Sequence, residues 1–160
     1  MKEELVSISA GMPLVKISKE CFVPLSVGGG IKSLSDAERL FNAGADKVIL
    51  NSAVFLNPNI IKEIANLAGT QAVIVGIDVK FENNEYSIYS NSSKVFENTP
   101  LSDHIEQVIS LGAGEIFIQS IDKDGEMSGY DLNLLNKVYK NSSVPVIAAG
   151  GPGDFEHLYD

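Results

Sequence analysis

Five apolar runs in this 160-residue sequence are each followed by a short polar or glycine-rich tail, and those tails hold the residues able to do chemistry. Gly28-Gly29-Gly30 follows the first run, a backbone stretch that can approach a phosphate closely, with a helix start at Ser33/Ser35 just behind it. Asn51 and Ser52 follow the second and offer side-chain donors. Asp78 and then Lys80 follow the third; Gln119, Ser120, Asp122 and Asp124 stand at or after the end of the fourth; Gly150, Gly151 and Gly153 follow the fifth. A glycine cluster is either a tight turn or an anion cradle. Two clusters at matching places favour the cradle. Asp78 closes a purely apolar run, where a carboxylate is costly unless solvated or paired. It reads either as a capping acid or as a general acid/base with a tuned pKa. Asp122-Lys123-Asp124-Gly125 opens like a calcium loop but lacks the later glycine and glutamate, so it reads as an Asp-Gly turn with one acid facing the pocket. His104 on a polar helix face and His157 near the end read as surface residues. No His/Cys cluster has metal-ligand spacing, and no Ser-His-Asp or Cys-His arrangement can be argued. No metal or cofactor is expected.

The elements that must position these residues show in the hydrophobic pattern. Strands are expected at 23–27, 47–50, 72–77, 115–120 and 144–148, each nearly continuous in apolar character, as in a parallel sheet buried on both faces. Residues 86–90 alternate and read as a small excursion. Between the strands lie helices. One carries a Ser35/Glu38 capping box, apolar Ala37, Leu40 and Phe41, and a stop at Gly44. The next starts at Asn57-Pro58, buries Ile60, Ile61, Ile64 and Leu67, and ends at Gly69. Others are expected at 102–111 and 132–139, and residues 14–20 form the end of a helix leading into the first strand. Strands alternating with helices are repeated βα units, an α/β class.

Composition bounds the rest. With 44% hydrophobic residues, 12 Lys+Arg against 21 Asp+Glu and one Cys, the chain has the makings of one core, and disorder and fibrous repeats are excluded. The longest apolar runs fall far short of the roughly 18 residues of a membrane span, and the acidic start is unlike a signal peptide, so a cytoplasmic location is expected. Cys21 reads as a small core residue. A net charge of -9 argues against a nucleic-acid partner without excluding a small anionic ligand held by backbone amides.

The segment VPLSVGGGI is echoed by VPVIAAGGPG, and AGADKVILNSA more loosely by GAGEIFIQSID, which suggests a duplicated arrangement of βα units. At about 30 residues per unit a (β/α)8 barrel needs roughly 250 residues, so the expected fold is an incomplete TIM barrel of about five units in a single domain, 1–160.

VPLSVGGGI, GADKVILNSA, GTQAVIVGIDVK, GAGEIFIQSIDKDGEMSGYD and VPVIAAGGPG, in this order and spacing, resemble the cyclase-subunit (HisF) family of imidazole glycerol phosphate synthase over about residues 20–160. The resemblance implies barrel strands three to seven, without strands one, two and eight. It implies a lyase of histidine biosynthesis. Ammonia from a glutaminase partner and a bis-phosphorylated ribulosyl-formimino aminoimidazole carboxamide ribotide would give imidazole glycerol phosphate and aminoimidazole carboxamide ribotide. On this likeness Asp78 is the strand-five acid/base. Gly29, Gly30, Asn51 and Ser52 form one phosphate end, and Gly150 and Gly151, beside Gln119 and Ser120, part of the other. Lys47 and Glu115 at strand starts resemble charges gating ammonia entry, and Asp46 a contact to the glutaminase; solvated charge is the plainer reading of all three. The family's other catalytic aspartate lies on the first strand, outside the matched stretch, so turnover by this chain alone is not expected. Gln119 stands where the family commonly has Thr, and Ala149 where it has Ser. Both fit an alternative, a cyclase-like partner of an amidotransferase in surface-sugar amidation. A non-catalytic, phosphate-binding barrel fragment is the other alternative.

Overall fold

A computed structural model describes residues 14–20, 22–90 and 93–159. Cys21, expected in the core, lies outside the described residues. The chain divides into two compact units. The first holds the described residues up to Ile74 together with Leu111–Gly114; the second holds Val75–Ser110 and the residues from Glu115 onward.

In the first unit, α1 (Leu14–Glu20) precedes β1 (Ser26–Gly28), α2 (Leu34–Asn42), β2 (Lys47–Leu50), α3 (Ser52–Leu56) and α4 (Asn59–Ala68), with a short 3-10 turn at Thr70–Ala72. Strands β1 and β2 run parallel in the register Ser26↔Lys47, Val27↔Val48, Gly28↔Ile49. The first strand thus begins three residues later than expected, and Val23 is 68% exposed. The cap of helix α2 lies two residues before the expected one. Ser33 is the N-cap and Asp36 completes the box: the Asp36 amide donates to Ser33 Oγ (3.2 Å), and Asp36 Oδ2 accepts from the Ser33 amide (3.0 Å). The Asp36 carboxyl is held below its ordinary pKa by hydrogen bonds from the Lys32 backbone, then from the Ser33 side chain. Ala37 and Leu40 face inward, and Ser18 of α1 donates to the carbonyl of Ala43 at the far end (2.9 Å). In α4, Ile60, Ile61 and Ile64 are buried as expected, but Leu67 is 49% exposed because it falls in the last turn, one residue before the helix ends. Helix α3, between Asn51 and Asn57, was not expected; five residues are too short a window to show a helical period.

The second unit is built on β3 (Val73–Glu82, its first two residues lying in the first unit), β4 (Glu85–Ser90), β5 (Val95–Phe96), α5 (Leu101–Ser110), β6 (Glu115–Ser120), α6 (Leu132–Asn141) and β7 (Val146–Ala149), ending in a 3-10 turn at Glu156–Leu158. Strand β3 does not stop at residue 77. It continues into an antiparallel hairpin with β4, Val79↔Ile88 to Glu82↔Glu85, turning at Asn83 and Asn84, both at positive φ (52° and 65°). The expected excursion is therefore this hairpin, and Asp78 lies inside a strand rather than at its end. Strand β5 pairs with β4 through Tyr89↔Phe96 and Ser90↔Val95. Strand β6 pairs with β3 and, in parallel, with β7, from Ile116↔Val146 to Gln119↔Ala149. The last strand begins at Val146, two residues later than expected.

Continuous burial holds for β3 only, whose first seven residues are all buried. Strands β2 and β6 alternate, with Val48, Leu50, Ile116, Ile118 and Ser120 buried and Lys47, Ile49, Glu115, Phe117 and Gln119 half-buried. Their side chains point alternately to a covered and an uncovered face. His104 is the clearest departure: it is 3% exposed, on the stripe Leu101, His104, Ile105, Val108 that α5 turns inward. The i, i+3, i+4, i+7 spacing puts it there, and burial pushes its pKa down to about 4. His157 is half-buried, its Nδ1 accepting from the Gly153 amide (3.0 Å).

The parallel pairs β1–β2 and β6–β7, in an order of strands alternating with helices, fit the expected α/β architecture, an incomplete (β/α)8 fold of about five units. Among the described residues no helix is long and apolar enough to cross a membrane.

Candidate active site

In parallel α/β folds ligands meet the carboxyl ends of strands, and each unit presents such an edge. In the first unit, β1 and β2 end beside each other, so Gly29-Gly30 and Asn51-Ser52 leave the sheet on the same edge. Gly28 has no room for a side chain: a Cβ there would lie 2.9 Å from Ile49 Cβ. Gly29 (φ 99°) and Gly30 (φ 73°) turn the chain away through left-handed backbone and are exposed. Asn51 precedes α3 without a side-chain capping bond, and Ser52 opens that helix; both are half-buried. The start of α2 differs from expectation. The amides of Lys32 and Ser33, which an anion could have used, both donate to Asp36 Oδ2 (3.0 Å each). The chain's own carboxylate fills that place, and the remaining anion donors of this edge are the backbone of Gly29 and Gly30 and the side chains of Asn51 and Ser52.

In the second unit, Asp78, Gln119, Ser120, Gly150 and Gly151 come from three adjacent strands. Asp78 is 7% exposed in β3. The carbonyl of the next residue, Val79, accepts from the Ile121 amide (2.9 Å), which sets the end of β6 beside Asp78. Two residues further on, the Phe81 amide donates to Asp122 Oδ2 (2.6 Å). Of the two acids of the Asp-Gly turn, Asp122 is therefore bound to β3 backbone, and Asp124 accepts from Gln119 Nε2 (3.1 Å). Gln119 lies opposite Ala149, and Ser120 is buried. A Cβ on Gly150 would lie 2.6 Å from Ser120 O, and one on Gly151 2.1 Å from Gly129 O. The Gly129 amide also donates to Gly151 O (3.0 Å). The glycine pair is thus packed against the 121–131 loop, a structural demand that the reading as an anion cradle did not include. The space among Ser120, Tyr130, Asp131, Leu134 and Gly150 has no room for water.

Two participants were not foreseen. Tyr86 of β4 donates to Asp131 Oδ1 (2.8 Å), and the same oxygen caps α6 by accepting from the Leu134 amide (3.0 Å). Burial first, then the hydrogen bond to Asp131, pushes the Tyr86 hydroxyl up to about 12. Asp131 just before an apolar helical run was a legible cap; nothing in the sequence linked it to Tyr86, 45 positions earlier.

At the opposite ends of the strands, Lys47 opens β2 and Glu115 opens β6, as expected from the pattern. Asp46 has work inside its own unit: its Oδ2 accepts from the Leu25 amide (2.8 Å) and its amide donates to Leu25 O (2.9 Å), which aligns the entries to β1 and β2. Among the described residues no group of three or more His, Cys, Asp or Glu could hold a metal ion.

Comparison with known proteins agrees with these motifs. The subunit HisF of imidazole glycerol phosphate synthase from Chlorobium limicola is 47% identical over 149 residues, covering 92% of this chain and 59% of that protein. The subunit of the same name from an Exiguobacterium species is 42% identical over 144 residues (90% and 56%), and that of Dictyoglomus thermophilum 45% identical over 147 residues (91% and 58%). The chain spans a little under three fifths of the length of these relatives. The profile of the family described as "Histidine biosynthesis protein" matches residues 10–160. With parallel βα units beneath motifs of the right order, the chain belongs to the histidine biosynthesis protein family.

Proposed function

We propose that this chain serves in the cyclase subunit of an imidazole glycerol phosphate synthase, with turnover only in a full-length barrel that carries it. With ammonia from a glutaminase subunit, it would convert the bis-phosphorylated ribulosyl-formimino aminoimidazole carboxamide ribotide to imidazole glycerol phosphate and aminoimidazole carboxamide ribotide. The observation that carries the reading is Asp78, a carboxyl 7% exposed in an otherwise apolar stretch of β3, on the edge that Gln119, Ser120 and the glycine pair share. Relatives named as that subunit cover 90–92% of the chain, which supports the same reading.

Asp78 moves a proton at the reacting ring as general acid or base. Gly29, Gly30, Asn51 and Ser52 bind one phosphate of the substrate, and Gly150 and Gly151, with Gln119 and Ser120, the other, so charge is met by backbone amides rather than by lysines. Lys47 and Glu115 flank the entry of ammonia, and Asp46 touches the glutaminase. Residues 1–160 act as one partial barrel domain in the cytoplasm, with neither a nucleic acid nor a membrane as partner.

The test is turnover of the ribotide with ammonium salts by a full-length barrel carrying this stretch. Asp78→Asn should lower kcat by about 10²–10⁴-fold while leaving substrate binding largely intact, since a general acid/base acts in the transition state. Weaker binding with kcat unchanged would make Asp78 structural and overturn the reading.

A further inference from the structure

The β3–β4 hairpin runs on past Asp78 and ends in a cross-strand pair, Phe81 and Tyr86, whose rings lie 4.8 Å apart at 55°. Both members of the pair hold the 121–131 loop. At its near end the Phe81 amide donates to Asp122 Oδ2 (2.6 Å), and at its far end the Tyr86 hydroxyl donates to Asp131 Oδ1 (2.8 Å). Between these anchors the loop packs against the glycine pair. Gly129 donates to Gly151 O, and the missing side chains of Gly150 and Gly151 leave space that Ser120 O, the Asp124 amide and Gly129 O occupy. The chain from Tyr86 to Gly151 is therefore one of direct contacts, through a single loop with no slack for a Cβ. With its pKa raised, Tyr86 stays a hydrogen-bond donor throughout the neutral range.

We propose that Tyr86 is a positioning residue for the anion-binding end at Gly150 and Gly151, setting the loop against which those two glycines are held. That the anion is a phosphate ester rests on the function proposed above; the anchoring of the loop does not.

The test uses the ¹⁵N-labelled full chain with inorganic phosphate as probe. Tyr86→Phe keeps the ring on Phe81 and removes only the hydroxyl. Loss of one such hydrogen bond should weaken phosphate binding, read at the Gly150 and Gly151 amides, by about three- to tenfold, and speed exchange of the Gly129 and Phe81 amides by a similar factor. Gly29 and Gly30 should respond to phosphate as before. Tyr86→Phe leaves the Asp131 cap of α6 in place and so separates positioning from capping, and Asp131→Asn, which keeps an acceptor for both the tyrosine and the helix, should behave as the unaltered chain. Unchanged exchange at Gly129 in Tyr86→Phe overturns the proposal. Faster exchange with unchanged phosphate affinity also overturns it, leaving Tyr86 a stabilising residue only. Failure of the underlying phosphate reading looks different: the Gly150 and Gly151 amides of the unaltered chain then do not shift at all, whatever their exchange rates.

Discussion

The glycine run after β1 and the glycine pair after β7 sit in echoing segments, yet each is held by a different kind of neighbour. Gly28 is required because a side chain, that of Ile49 on the paired strand, stands 2.9 Å from where its own Cβ would be. Gly151 is required because a backbone carbonyl, Gly129 O, stands there at 2.1 Å, in a loop pinned by Tyr86 and Asp122. The overlap at Gly28 is shallow and its backbone needs no left-handed φ, whereas Gly151 stands at φ 118° and its overlap is deep and against backbone held by hydrogen bonds. The helix starts beside them differ in the same sense. Asp36 closes on amides of its own turn, while Asp131 divides its oxygen between its helix and a distant tyrosine. Similar sequence therefore serves a locally closed edge in one unit and a long-range network in the other.

The largest expected effect tests this contrast directly. Gly151→Ala, at φ 118° and against backbone, should cost about 3 kcal/mol or more, backbone strain adding to overpacking. Gly28→Ala, against a side chain, should cost about 1–2 kcal/mol. Denaturant midpoints measure both, and equal losses would break the comparison.

The next effect should fall on the second unit, which holds the buried His104. Its folded pKa of about 4 lies below the ordinary value of 6.5, so between those pH values the unfolded chain binds the extra proton. Stability should be constant with respect to this group above pH 6.5, fall as the pH drops toward 4, and lose at most about 3 kcal/mol. His104→Leu should remove that slope. Amide exchange should show the loss first in α5 and β6 rather than in α2 and β2.

Smaller effects distinguish the two caps. Ser33→Ala should cost about 1 kcal/mol, the usual value of an N-cap. Asp131→Ala should cost about 1 kcal/mol more, because the Tyr86 hydroxyl also loses its partner. Thermal melts would show the difference, and a cost no greater than that of Ser33→Ala would reduce Asp131 to an ordinary cap.

Strand β2 and strand β6 were legible to the residue, because β-branched runs bounded by charge and glycine leave little choice of register. Helices α2, α4, α5 and α6 were legible to within two residues from their inward stripes. The end of β3 was not, since Asp78 and Lys80 look like strand-ending polar residues until the hairpin beyond them is seen to extend the ladder. The gathering of Asp78, Gln119, Ser120 and the glycine pair on one edge followed from the rule that βα units expose strand ends together. The carboxylate of Asp36 at the start of α2, and the bond from Phe81 to Asp122, did not follow from it, because each depends on a side-chain direction.

Local periodicity, turn residues and motif order determined the class of fold, the family and which residues leave the carboxyl ends of the strands, since these depend on neighbours a few positions apart. Only tertiary structure decided that His104 is buried, that Asp122 serves β3 backbone, and that Tyr86 reaches the cap of α6. Those outcomes rest on contacts between segments about 40 residues apart or on which helix face is covered, and neither leaves a periodic trace in the chain.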